Sequence, residues 1–131
     1  MTDRQTVNQL LARSRARIDR LEAPAAQAAA AAGAVLIDTR CAEQRRATGV
    51  IPGSAHIPLS VLYWRLDPAS GSADPRLADP AAQVILICAH GYSSSIAAAT
   101  LRDLGFARAA DVVGGFEAWQ AAGLPVVADA D

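Results

Sequence analysis

Two kinds of hydrophobic spacing alternate along the chain. Apolar runs built on Val, Ile and Leu occupy residues 34–37, closed by Asp38, and 84–87, the pattern of strands covered on both faces. Around them, apolar residues recur every three or four positions, as amphipathic helices require. Residues 3–17 place Val7, Leu10 and Leu11 near one helical face, with Ile18 and Leu21 following on it and arginines spread over the rest. Residues 18–21 read either as the tail of that helix or as a short edge strand. Pro24 suits the first turn of a second helix and Gly33 its C-terminal cap. Further helices are expected at 42–48, 59–66, 93–104 and 116–122, and short strands at 55–57 and 111–113. Strands and helices thus alternate with short links, which predicts an α/β fold: a parallel sheet with helices on both faces. The exception is residues 67–80, rich in Pro, Ala, Ser, Gly and Asp. A loop of that length is expected to move or to cover something.

A chain of 131 residues makes one domain with a real core. With 12 basic and 13 acidic residues, it lacks the charge excess of a nucleic-acid-binding domain. Cys41 and Cys88, with only His56 and His90 beside them, form no metal-spaced set, so neither metal nor cofactor is expected. The alanine-rich stretch at 23–37 is interrupted by Pro24, Gln27 and Gly33 and is too weak to span a bilayer. The first twenty residues carry scattered arginines and no apolar signal core, which favours the cytosol.

The chemistry concentrates after the 84–87 run. Cys88 ends the strand, a short polar turn containing Gly91 follows, and three serines open an alanine-rich helix that Gly105 closes. Ligands bind at the carboxyl ends of strands in open parallel sheets. A helix beginning at Ser93 or Ser94 aims free N–H groups and the positive end of its dipole back at the thiol, which lowers a cysteine pKa. The plain alternative is a buried cysteine packing as a small hydrophobe. Serines and a glycine directly after it suit an anion cradle better than a core.

The loop Cys88-Ala89-His90-Gly91-Tyr92-Ser93-Ser94 resembles the Cys-x-His-Gly-x-Ser-Ser of single-domain rhodaneses, the thiosulfate sulfurtransferases. Three more stretches carry the likeness over residues 18–127: Leu36-Ile37-Asp38-Thr39-Arg40, the segment at 49–58 around Pro52-Gly53, and Gly114-Gly115-Phe116-Glu117-Ala118-Trp119 with Gly123-Leu124-Pro125-Val126. On this reading residues 1–17 are a helical extension and 18–127 a rhodanese-like domain. The family commonly has histidine where Val50 stands, in a motif that is mainly structural.

The resemblance implies that Cys88 takes sulfane sulfur from thiosulfate, or a related small donor, as a persulfide and passes it to cyanide or a thiol. It makes Ala89, His90, Gly91, Tyr92, Ser93 and Ser94 the substrate loop, with Asp38 and Arg40 as a buried pair bracing it. Arg65 either turns inward toward an anionic substrate or lies on the surface. His90 either supplies positive charge or shapes the loop, His56 is structural, and Cys41 is a free thiol on the first turn of a helix. Two other functions compete. A cysteine phosphatase or arsenate reductase has a loop one residue longer that closes with an arginine, where this chain has Ser94. A silent partner-binding module often lacks the cysteine.

Overall fold

The computed structural model describes residues 3–129. Helix α1 (Val7–Arg15) starts where Thr6 and Gln9 form a reciprocal capping box, which is why it begins later than its periodicity suggests. It leads into strand β1 (Asp19–Leu21), then helix α2 (Ala23–Ala31) with its proline in the first turn. Strand β2 (Val35–Asp38), helix α3 (Ala42–Thr48) and strand β3 (Ala55–His56) follow. A 3₁₀ turn (Leu59–Val61) runs into helix α4 (Leu62–Leu66), so the expected 59–66 helix is split. Strand β4 (Val84–Ile87), helix α5 (Ser93–Asp103), strand β5 (Ala110–Val112) and helix α6 (Gly115–Ala121) complete the chain.

All strand pairings are parallel, in the order β1-β5-β4-β2-β3. The unbroken apolar runs are explained by two cores, one on each face. Ile37, Val84 and Leu86 face Leu62, Leu66, Ala97, Leu101 and Phe106. Their strand neighbours Leu36, Ile85 and Ile87 face Ala23, Ala26, Phe116 and Trp119 on the other side. Every residue of β4 is fully buried, and each such aliphatic side chain contributes about 1.5–3 kcal/mol of transfer free energy. The α/β prediction holds, with the 18–21 segment resolved as an edge strand on β5.

Register sets up the site. Asp38 stands beside Ile87 and Asp111 beside Leu86, so the two carboxylates flank the end of β4 on opposite faces. Both are fully buried, and a buried carboxylate must find cationic or hydrogen-bonding partners. Those partners surround Cys88.

Candidate active site

Cys88 is 6% exposed at the carboxyl end of β4, where the chain turns into α5. Gly91 N–H donates to its sulfur at 3.1 Å, and the thiol donates to Ser94 Oγ at 3.2 Å. Ser94 in turn donates to Asp111 Oδ2 at 2.8 Å, as does Ser95 at 2.7 Å. Burial pushes the thiol pKa up. The Ser94 and Ser93 hydroxyls, then the Ser94 and Gly91 amides, more than reverse this and hold it below the ordinary thiol range.

Three carbonyls of the loop are claimed by donors from outside it. Phe116 N–H donates to Cys88 O at 2.7 Å and Glu117 N–H to Ala89 O at 3.1 Å. Gly91 O accepts from Arg15 Nη2 at 2.8 Å and Arg20 Nη2 at 3.1 Å. No peptide is cis, and a planar trans unit points its N–H opposite its C=O. The N–H groups of Ala89, His90 and Tyr92 therefore turn away from these outside donors. Gly91 takes φ +82° to make the turn.

The predicted Asp38–Arg40 pair is present. Arg40 Nη2 lies 2.9 Å from Asp38 Oδ2 and its Nε 3.1 Å from Oδ1, a bidentate fork. The same guanidinium donates to Gly49 O and Thr48 Oγ1 and stacks 3.7 Å over the Phe116 ring. Arg40 thus ties β2 to α3 and to the first turn of α6, which holds the loop's carbonyls. Arg45 also reaches Asp38, at 3.2 Å. Arg40→Ala leaves a buried carboxylate with one partly exposed cation, so it is expected to cost about 3 kcal/mol. Urea denaturation would show a lower midpoint at an unchanged slope. Wild-type stability with a raised donor KM would make Arg40 a substrate ligand and not a brace.

Arg65 goes elsewhere: it donates to Ser72 O at 2.7 Å and lies 3.7 Å from Asp74, within the long connection after α4. Asp74, buried and also paired with Arg76, draws it there. His90 is 62% exposed with Nδ1 3.1 Å from Glu117 Oε2, and His56 Nε2 meets Arg40 O at 2.8 Å. Cys41 is an exposed free thiol at the N-cap of α3. A cavity beside the loop is lined by Ala89, His90, Phe116, Glu117, Gln44 and Thr48. Among the described residues no three His, Cys, Asp or Glu side chains converge on a metal position, and no helix is long and apolar enough to cross a membrane.

Asp111, Ser95, Arg15 and Arg20 are the parts of the site that sequence reasoning did not single out. Arg20 donates through Nε to Asp111 Oδ1 at 2.9 Å. One signal was available: an aspartate inside a strand covered on both faces has to have a partner.

Residues 20–122 match the rhodanese-like domain family. The chain is 41% identical over 96 residues to the thiosulfate sulfurtransferase GlpE of Pseudomonas savastanoi, covering 73% of this chain and 81% of that protein. It is 38% identical over 101 residues to GlpE of Pseudomonas entomophila, with 77% and 84% covered. It spans only 17% of the length of the Zea mays adenylyltransferase and sulfurtransferase MOCS3-2, at 34% identity, and 39% of Actinobacillus succinogenes GlpE, at 51% identity. Among solved structures, a Rhodopseudomonas palustris protein of unknown function, described as a possible tyrosine phosphatase, superposes with a TM-score of 0.87 at 29% identity, covering 97% of this chain and 98% of that one. From the family match over most of its length, and from relatives of similar size at about 40% identity, the chain belongs to the rhodanese-like domain family.

Proposed function

We propose that the chain is a thiosulfate sulfurtransferase working through a persulfide on Cys88. The observation that carries this reading is the sulfur itself, buried at the end of β4 with Gly91 N–H donating to it, Ser94 Oγ beside it, and the carbonyls of Cys88, Ala89 and Gly91 held by donors from outside the loop. The Cys88 thiolate attacks the sulfane sulfur of thiosulfate, a new S–S bond forms, and the electrons of the broken bond leave with sulfite. The inward amides then stabilise the outer sulfur's negative charge. An acceptor thiolate or cyanide attacks that outer sulfur, leaves as a persulfide or thiocyanate, and returns Cys88 as the thiolate. No proton has to move in either half. The two Pseudomonas relatives named as thiosulfate sulfurtransferases support the same donor. Two free cysteines suit a reducing compartment, so we place the reaction in the cytosol.

The phosphatase description of the Rhodopseudomonas palustris neighbour gives a second reading. Against it stands Ser94, whose hydroxyl is engaged with Cys88 and Asp111 and offers no fork for phosphate oxygens. The deciding measurement is the mass of the intact protein before and after thiosulfate. One added sulfur atom, removed by cyanide, is expected, with no Cys88-dependent hydrolysis of an aryl phosphate. Absence of the added sulfur, or phosphatase turnover comparable to sulfur transfer, would overturn the assignment.

A further inference from the structure

Residues 89–94 contain neither lysine nor arginine, so any cation serving this cradle must come from another element. Several elements supply charges around Cys88, and most are already neutralised. Arg20 on β1 is paired with Asp111 on β5, Arg40 with Asp38 at the end of β2, and His90 with Glu117 on α6. Arg15 differs. It is the last residue of α1, outside the family match, and its contacts among the described residues are with neutral groups. Its Nη2 holds Gly91 O at 2.8 Å, its Nε donates to Ser95 Oγ at 3.1 Å, and its guanidinium carbon lies 5.6 Å from the Tyr92 ring centroid.

We propose that Arg15 is a positioning residue of the active site, locking the Gly91–Tyr92 peptide with Tyr92 N–H toward the sulfur and drawing anionic sulfur donors to Cys88. A peptide beside glycine flips at little steric cost. Flipped, this one would turn a carbonyl toward the thiolate and repel it, and the charge-assisted bonds to Gly91 O oppose that, the shorter from Arg15 at 2.8 Å and the longer from Arg20 at 3.1 Å. The half-buried charge lies just behind the loop, where water screens it only in part. The choice of thiosulfate as donor rests on the sulfurtransferase reading, whereas the electrostatic role of Arg15 does not.

The test uses Cys41→Ser protein, so that Cys88 alone reports, and compares alkylation by neutral iodoacetamide with alkylation by anionic iodoacetate across pH. Arg15→Gln is expected to move the iodoacetamide profile to higher pH and to cut the iodoacetate-to-iodoacetamide rate ratio roughly tenfold, the effect of about 1.4 kcal/mol. Thiosulfate KM should rise more than kcat falls. Arg15→Lys should recover most of the ratio, because it keeps the charge. Arg17→Gln, which removes the ion pair from the turn after α1 to Asp103 at the end of α5, should leave both profiles unchanged. An Arg15→Gln protein with the wild-type ratio and pH profile overturns the proposal, as does an Arg17→Gln protein with the same shifts, which would make helix docking the cause. Should Arg15→Gln fail to fold, Arg15→Lys decides: a retained preference for iodoacetate supports the proposal and its loss refutes it. Alkylation requires no sulfur donor, so a protein that takes no sulfur from thiosulfate still reports on Arg15.

Discussion

Cys88→Ser is expected to abolish thiosulfate-to-cyanide sulfur transfer, a loss of roughly 10⁴-fold or to background, in a protein that still folds. An alcohol stays protonated at neutral pH, and the donors that favour a thiolate cannot bring a hydroxyl into its ionising range. The smaller oxygen can still accept from Gly91 N–H, which holds the sulfur at 3.1 Å, so the loop keeps its internal bond and the melting temperature should move little. Cys41→Ser should leave transfer intact, since that thiol is exposed at the end of another helix. Equal losses in the two variants would make Cys41 a resolving thiol and the chain a redox device instead of a sulfur carrier.

The second large effect is expected at Gly115, in a variant that changes no polar atom. An added Cβ there would sit 2.4 Å from Cys88 O, 2.7 Å from Gly91 N and 2.8 Å from His90 N, at φ +63°. All three are backbone atoms, so no flexible side chain can yield, and relief means pushing the cradle away from α6. Overpacking and the left-handed backbone together should cost roughly 2–5 kcal/mol, and transfer should collapse even at temperatures where the protein remains folded. Gly53→Ala is the control. It has a similar φ, +81°, with nothing near its Cβ position, so it should lose some stability and no specific activity. Normal sulfur transfer in folded Gly115→Ala would mean that the spacing between loop and helix is not what shapes the site.

The central strand, its cysteine loop and the following helix were legible because all their signals are local. Apolar run, glycine and serines sit within a few residues, and helix α5 starts at Ser93 as expected. Asp38 and Arg40 were legible for the same reason, being two positions apart. Arg20 and Asp111 lie 91 positions apart and Arg15 and Gly91 76, and periodicity carries nothing about which distant strands pair. The first helix was legible as amphipathic but not as part of the site, since its role depends on where β1 docks. The place of Arg65 is not legible in the sequence because its environment is fixed by Asp74 inside a loop without periodic pattern. Val50 pairs its backbone with Val127, a use to which side-chain identity matters little, so the departure from the family pattern noted in the sequence has no bearing on the site.

The two outer strands of the sheet have a consequence for how other proteins can approach. β1 offers three residues, two of them Asp19 and Arg20, and β3 offers two, one of them His56. Edges this short and this polar give an incoming strand almost no ladder to extend, so neither self-templated stacking nor recruitment of a peptide by strand addition has a foothold on this sheet. On the proposed sulfur-transfer reading, an acceptor has to approach at the carboxyl ends of the strands, where Cys88 lies.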